Sequence, residues 1–206
     1  MAKLTFKYAT MNSGKTLDLI RTAYNYEENG YKVLVIKPSI DTKGGEQIVS
    51  RIGVSKKVDY LFKPEDSILK TLYNKLDEIR CIFVDEAQFL TENQVDDLFI
   101  ISKVFNKTII CYGLRLNFQM DAFEGSKRLL EIADVLEDLK TMCACGNIAR
   151  YVGRKFNGEF EAVGSEVVID GTEGFEYVPL CGDCYLQKVK KINYDLVKKR
   201  GVINEW

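Results

Sequence analysis

The chain has 206 residues, of which six are Cys and none is His, and its 29 basic and 30 acidic residues leave a net charge of −1. Without His, imidazole is excluded as a general base, nucleophile partner or metal ligand, so a base must be a carboxylate, Lys, Tyr or Cys. The near-neutral charge gives no general electrostatic reason to bind nucleic acid.

No segment of the sequence predicts membrane insertion or export. No apolar run approaches the roughly 18–20 residues of a membrane span. Residues 1–8 are too short and too charged for a signal peptide. We therefore expect a cytoplasmic protein that binds neither membranes nor nucleic acid.

The first two thirds of the chain alternate apolar strands with helices. The pattern predicts strands at 4–8, 31–37, 81–84, 108–112 and 135–140, and helices at 17–28, 66–75, 92–105 and 126–133. Residues 38–57 are polar, contain Gly44 and Gly45, and are predicted to form a long loop or a hairpin. This alternation indicates a parallel sheet covered by helices on both faces.

The character of the sequence changes after about residue 141. Cys and Gly become frequent, the pattern is typical of antiparallel strands, and a basic helix is expected over 183–199. We therefore predict two domains, 1–140 and 141–206.

The first strand leads into a segment that matches most of the phosphate-loop pattern G-x-x-x-x-G-K-[ST]. In that pattern backbone N–H groups and a helix N-terminus surround phosphates, the Lys reaches the outer phosphates and the hydroxyl ligates Mg²⁺. Here Ala9 replaces the first Gly, which is acceptable only if residue 9 needs no positive φ. The alternative, a helix start with a cationic first turn, is weak because Lys there opposes the helix dipole. The candidate phosphate-binding residues are Ala9, Thr10, Met11, Asn12, Ser13, Gly14, Lys15 and Thr16.

Two adjacent carboxylates follow the buried strand at 81–84. Ligands of open α/β sheets sit at the carboxyl ends of strands, so Asp85 is expected to hold Mg²⁺ against a triphosphate, together with Thr16. Glu86 is the best candidate general base in a chain without His. On sequence alone it either activates water in an ATPase or deprotonates a substrate hydroxyl in a kinase. The segment Asp85, Glu86, Ala87 and Gln88 also looks like the acidic box of helicases, but a helicase motor usually needs two such domains.

Four Cys form two pairs, Cys143 with Cys145 and Cys181 with Cys184, and a Gly follows one Cys of each pair. Four thiolates without His are typical of a closed, structural zinc site. The alternatives are buried free thiols or a redox pair, whereas a disulfide is not expected in the cytosol. The remaining Cys81 and Cys111 lie in apolar strands and are predicted to belong to the core.

An ordered set of motifs carries a family resemblance. Its parts are the phosphate loop with Met11 inside it, the segment from Asp85 to Phe89, the segment Tyr112-Gly113-Leu114 followed by Asn117-Phe118-Gln119 and Phe123, and the Cys pairs. Together they resemble the zinc-containing (type II) thymidine kinases, from Leu4 to about Gln187. The resemblance implies a P-loop (RecA-like) parallel sheet with a small zinc-ribbon-like lobe that carries a lasso loop.

The resemblance also implies an activity and its residues. ATP would bind residues 9–16 and 85–88, with Lys15 catalytic, and Glu86 would deprotonate the 5′-hydroxyl of thymidine or deoxyuridine in nucleotide salvage. Mg²⁺ and structural Zn²⁺ would be the cofactors, and a homotetramer inhibited by dTTP is expected. The implied substrate-binding residues are Met11, Phe89, Leu114, Phe118, Phe123, Val167, Val168, Ile169, Asp170, Gly171 and Tyr177.

Two other functions fit the individual motifs. One is a DNA- or RNA-stimulated ATPase in which the zinc lobe contacts nucleic acid. The other is a nucleotide sensor that binds ATP without turnover. The basic C-terminus favours a solvated helix over a nucleic-acid contact, because cations stabilise a helix C-terminus.

Overall fold

The computed structural model describes residues 1–41, 45–164 and 173–192. The predicted lasso residues Val167, Val168, Ile169, Asp170 and Gly171 lie outside the described residues. The chain forms two compact units, Met1–Arg115 with Ala122–Leu139, and Leu116–Asp121 with the residues from Lys140 onward. Among the described residues, no helix combines the length and apolar character that crossing a membrane requires.

The first unit alternates strands and helices in chain order. Two 3₁₀ turns, Tyr73–Glu78 and Ala87–Phe89, complete it. Its elements are β1 (Leu4–Ala9), α1 (Lys15–Glu28), β2 (Val33–Pro38), β3 (Gln47–Val49), β4 (Ser55–Lys57), β5 (Tyr60–Phe62), α2 (Ile68–Leu72), β6 (Cys81–Val84), α3 (Glu92–Val104), β7 (Thr108–Leu114), α4 (Glu124–Ile132) and β8 (Val135–Asp138).

Six of these strands form one sheet in the order β5-β2-β6-β7-β1-β8. Every neighbouring pair in it is parallel, which confirms the predicted fold class. β7 lies between β1 and β6, and Ala9 at the end of β1 pairs with Leu114 at the end of β7. The carboxyl ends of these three strands therefore meet at one edge, where ligands of parallel sheets bind.

Apolar side chains cover both faces of the sheet. On one face Ile82 and Ile109 pack with α2, α3 and α4. On the other face Phe83 packs with Leu19 and Ala23 of α1. Since alternate residues of a strand point to opposite faces, the continuous apolar runs of β2, β6 and β7 supply both cores.

The two isolated thiols lie in these cores, as predicted. Cys81 and Cys111 are fully buried. Burial raises the pKa of the Cys81 thiol to about 12 and raises the pKa of Cys111 as well. Both side chains are therefore neutral packing groups.

Some element boundaries differ from the prediction. Residues 47–57 form the hairpin of β3 and β4, so of the two predicted alternatives the hairpin is correct. The helix predicted over 66–75 is the short α2, whose chain continues in the first 3₁₀ turn. β5 was not predicted, because three residues are too few to show a strand period.

The second unit contains short antiparallel strands, as its sequence indicates. Its elements are β9 (Thr141–Met142), β10 (Ile148–Ala149), β11 (Tyr151–Phe156), β12 (Glu159–Glu161), β13 (Phe175–Leu180) and α5 (Gly182–Lys188). The helix predicted over 183–199 is not continuous, since α5 ends at Lys188 and Lys191 takes the left-handed φ of 54°. Residues 193–199 of that prediction lie outside the described residues. A left-handed residue ends a helix.

The segment Leu116–Asp121 belongs to the second unit through specific contacts. The buried Tyr185 of α5 donates its hydroxyl hydrogen to the carbonyl oxygen of Phe118. The guanidinium of Arg154 lies 3.7 Å from the centroid of the Phe118 ring. These contacts explain why the segment groups with residues that follow it in the chain.

Candidate active site

Residues 10–14, which the sequence predicts to bind phosphate, connect β1 to α1. Ala9 is the last residue of an extended strand, so it needs no positive φ and the replacement of Gly is tolerated. Gly14 does require it, with φ of 79°, at the position before α1. As Gly14 makes no side-chain cap, the first N–H groups of α1 are available to an anion.

Lys15 is a buried cation inside this loop. Its Nζ donates to the carbonyl oxygen of Thr10 at 2.9 Å, and the residue is 8% exposed. Burial lowers the pKa of Lys15, while the nearby carboxylates of Glu86 and Asp85 raise it and Arg51 lowers it further. An incoming phosphate would supply the negative charge that burial makes favourable here.

Asp85 faces the start of α1. The hydroxyl of Thr16 donates to Asp85 Oδ2 at 3.2 Å. Burial, and next the negative charge of Glu86, raise the pKa of Asp85 to about 7, while Lys15 opposes the rise. Among the side chains that the structure describes, Asp85 Oδ1 and Ser13 Oγ are buried without a hydrogen-bond partner. An unsatisfied carboxylate oxygen beside a hydroxyl fits the hard oxygen ligands that Mg²⁺ prefers.

Glu86 begins the 3₁₀ turn Ala87–Phe89 in a strained conformation. Its φ of 51° is left-handed, which is uncommon for a residue with a side chain and is often found at functional sites. The side chain is half-buried, and Glu86 Oε2 accepts a hydrogen bond from Gln88 Nε2. Gln88 Oε1 in turn accepts from the backbone N–H of Leu114 at 3.0 Å. Ala87, by contrast, lies in the apolar core.

Helix α4 holds this turn from the other side. A Cβ atom on Gly125 would lie 2.5 Å from the Ala87 carbonyl oxygen and 2.7 Å from that of Leu90. The hydroxyl of Ser126 donates to the Leu114 carbonyl oxygen. The turn that carries Glu86 is therefore packed between β7 and α4.

The predicted thymidine-binding residues fall in both units. In the first, Met11 is half-buried in the loop, Leu114 ends β7, and the rings of Phe89 and Phe123 meet edge to face with centroids 5.6 Å apart. In the second, Phe118 is buried.

Tyr177, also in the second unit, pairs with Arg154 across β13 and β11, so the two side chains share one face of that sheet. Sequence reasoning missed Arg154. It is 2% exposed, bonds Glu161 at 2.8 Å and stacks on Phe118. The sequence of a short strand does not show whether a basic side chain in it is buried or exposed to solvent.

The four predicted zinc ligands converge in the second unit. The sulfur atoms of Cys143, Cys145, Cys181 and Cys184 all lie within 4.8 Å of one another, and Cys145 Sγ is 3.5 Å from Cys181 Sγ. A tetrahedral ion with bonds of about 2.3 Å would place its sulfur ligands about 3.8 Å apart. The cluster can therefore bind a metal such as zinc.

The electrostatics of the thiols fit a metal site. Burial raises the pKa of Cys143, but the backbone N–H groups of Cys145 and Cys181 lower it, and the resulting pKa is about 6. Burial and the adjacent thiols raise the pKa of Cys184 to about 12, because a second thiolate is disfavoured beside the first. A bound metal cation would offset the repulsion between neighbouring thiolates.

The Gly residues that follow Cys145 and Cys181 differ in conformation. Gly146 takes φ of 91°, as a turn beside a thiolate requires. Gly182 does not, because it begins α5 in helical conformation, and a Cβ there would make ordinary contact with Tyr151 at 3.5 Å.

Comparisons with known proteins agree with this arrangement. A family model described as thymidine kinase matches residues 2–185. The thymidine kinase of Mannheimia succiniciproducens is 41% identical over 197 residues, covering 94% of this chain and 100% of that protein. That of Haemophilus influenzae is 40% identical over 196 residues, covering 93% of this chain and 100% of that protein.

One matching solved structure is much less similar to this chain. The replication initiator DnaA bound to AMPPCP and single-stranded DNA matches with a TM-score of 0.43 and 18% identity, over 68% of this chain and 41% of that chain. A likeness at this level carries no information about function.

The loop geometry predicts different outcomes for two Gly–Ala exchanges. Gly14→Ala should weaken MgATP binding about 5–30-fold, because residue 14 would leave the left-handed conformation in the free variant, and restoring it around the phosphates costs roughly 1–2 kcal/mol. Ala9→Gly should change the affinity by about twofold or less, since residue 9 is extended. Isothermal titration calorimetry measures both, and equal losses would contradict the geometric assignment.

Proposed function

The chain belongs to the thymidine kinase family, whose members transfer a phosphoryl group from ATP to a nucleoside. We propose that it phosphorylates the 5′-hydroxyl of thymidine, and of deoxyuridine, in nucleotide salvage. The observation that carries the proposal is the placement of Lys15, Thr16, Asp85 and Glu86 at one edge of the sheet. Phosphoryl transfer depends on positioning and charge neutralisation, and this edge supplies both.

The loop residues bind the nucleotide in this proposal. The first N–H groups of α1 and the N–H groups of residues 9–14 surround the phosphates. Lys15 Nζ, which now donates to the Thr10 carbonyl oxygen, turns to the outer phosphates. Thr16 and Asp85 would hold Mg²⁺, which neutralises negative charge on the phosphate oxygens.

Glu86 acts as the general base. Its carboxylate stands directly after Asp85, and Gln88 holds one of its two oxygen atoms. We assign the other oxygen to accept the proton of the 5′-hydroxyl while the oxygen of that hydroxyl bonds to the γ-phosphorus. The bond from the γ-phosphorus to the β,γ-bridging oxygen breaks in the same step, and ADP leaves. Phe89, Leu114 and Phe123, with Met11, offer the apolar surface that a thymine ring needs.

The family resemblance implies a lid, and we propose that residues of the second unit supply it. Zinc bound by the four Cys stabilises the lobe that carries the lasso, and the lasso residues Val167–Gly171 and Tyr177 bind the nucleoside with Phe118. A closed lid excludes water, which would otherwise compete as the phosphoryl acceptor.

Further properties are proposed from the family resemblance. The enzyme acts as a homotetramer in the cytoplasm, where thiols stay reduced. The end product dTTP inhibits it. Functionally the chain divides into a nucleotide-binding domain, 1–140, and a lid domain, 141–206.

ATP consumption with thymidine, deoxycytidine or single-stranded DNA tests the activity. We expect consumption with thymidine and none with DNA alone. Stimulation by DNA alone would support the ATPase, and nucleotide binding without turnover under all three conditions would support the sensor.

Glu86→Gln tests the assigned base. The amide cannot accept the proton, so kcat should fall by roughly 10²–10⁴-fold while MgATP still binds. Glu78→Gln is the control, because Glu78 is 65% exposed and precedes β6 at the opposite edge of the sheet. Near-normal turnover in Glu86→Gln would refute the role of Glu86.

Metal analysis tests the thiolate site. Freshly purified protein should contain about one zinc per chain. Cys145→Ser should lower the zinc content and the stability of the second unit, whereas Cys81→Ala should leave the zinc content unchanged, because Cys81 lies in the other unit. A zinc-free native protein, or equal zinc in both variants, would count against the site.

A further inference from the structure

Gln88 is a buried amide placed between the candidate base and β7. It is 2% exposed, donates from Nε2 to Glu86 Oε2, and accepts at Oε1 from the Leu114 N–H at 3.0 Å. We propose that Gln88 is a positioning residue that orients the Glu86 carboxylate, and that Gly113 is required to seat it. The proposal rests on the assignment of Glu86 as the base.

The two partners of Gln88 determine which way its amide points. The backbone N–H of Leu114 is only a donor, so the Gln88 atom that faces it must be the carbonyl oxygen. The NH₂ group then faces Glu86, whose ionised carboxylate only accepts. Rotating the amide by 180° would bring donor against donor and acceptor against acceptor. One orientation is therefore selected, and it presents a donor to the base.

Glu86 needs such a partner. Its side chain has three rotatable bonds and is half-buried, and the left-handed backbone fixes only the direction of its Cβ. A hydrogen bond to one carboxylate oxygen selects one direction and leaves the second oxygen for the substrate proton. Misplacing a reacting group by about 1 Å costs up to 10²-fold in rate, so this selection has a kinetic consequence.

Gly113 provides the space for Gln88. A Cβ atom on Gly113 would lie 2.8 Å from Gln88 Oε1 and 3.0 Å from the backbone nitrogen of Gln88. Gly113 has no positive φ, so space and not backbone conformation is what requires Gly. The next residue, Leu114, also pairs with Ala9 at the end of β1. The strand that orients Gln88 is thus paired with the strand that leads into the phosphate loop. Both the proposed base and the phosphate loop are therefore positioned by β7.

A direct contact with the nucleotide is the competing role for Gln88. Both functional groups of its amide are engaged inside the protein, one by Glu86 and one by Leu114. A nucleotide contact would require breaking one of these bonds at a buried site, where an unpaired polar group is costly. The observed contacts therefore favour positioning.

Gln88→Met tests the proposal, because Met keeps the length of the side chain and removes both hydrogen bonds. We expect kcat to fall about 10–100-fold, the range given by loss of a hydrogen bond to a charged group, while KM for ATP stays within about twofold. Gln88→Glu keeps the acceptor for Leu114 but places a carboxylate oxygen against Glu86. It should lose at least as much kcat, although the contact with β7 is retained.

Gln94→Met is the matched control. Gln94 is also 2% exposed, and its amide donates to the carbonyl oxygens of Lys63 and Asp66, away from the site. Gln94→Met removes a buried amide of the same kind. Because that amide lies away from the site, kcat of the folded enzyme should not change. Gly113→Ala is the second, independent variant, and it should lower kcat as Gln88→Met does, because its Cβ displaces Gln88.

A double-mutant cycle shows whether Gln88 acts through Glu86. In the Glu86→Gln background, Gln88→Met should have little further effect on kcat, since the group that it positions is already gone. Independent, multiplying effects would overturn the proposal, as would a raised KM for ATP with kcat retained. If Gln88→Met has a normal kcat while Glu86→Gln is impaired, the positioning role of Gln88 is refuted and Glu86 remains the base. If Glu86→Gln itself has normal turnover, the assignment of Glu86 as the base is refuted.

Discussion

The carboxyl end of β7 is the point on which the site depends. Its last residue, Leu114, pairs with the end of β1, donates its N–H to Gln88 and accepts from Ser126 through its carbonyl oxygen. The phosphate loop, the turn with Glu86 and the start of α4 are thus all joined to one residue. Because neighbouring parallel strands have a fixed register, the loop and Glu86, the base that we propose, cannot shift independently. This is the rigidity that phosphoryl transfer requires.

At the same edge of the sheet, Lys15 and Asp85 are buried, and burial disfavours the charged form of each side chain. Burial lowers the pKa of Lys15 and raises the pKa of Asp85, so each group is shifted toward its neutral form. Asp85 Oδ1 and Ser13 Oγ, among the described side chains, are buried without partners. The metal-bound polyphosphate that we propose for this site would supply charges that favour the ionised forms of both groups. Such binding would therefore stabilise the folded chain.

Local chemistry made part of this site predictable. The phosphate loop, Asp85 with Glu86 and the two Cys pairs are each recognisable within a few residues, and the apolar runs revealed five strands of the sheet. Gln88 and Arg154 could not be assigned their contacts, because each depends on residues far away in the chain, Gln88 on Leu114 and Arg154 on Phe118. The end of α5 was not predicted because the left-handed residue after it is Lys191. Gly at such a position would indicate a helix end in the sequence, whereas Lys does not.

The second unit anchors the chain on both sides of residues 165–172. Before them, Gly164 lies so close to the Arg154 guanidinium that a Cβ would clash with it. After them, the N–H of Asn157 donates to the Gly174 carbonyl oxygen at 2.8 Å. β13 then leads directly to Cys181 of the thiolate cluster. Nucleoside binding by Val167–Gly171, as we propose it, thus depends on where Arg154 and the metal site hold the two ends of this segment.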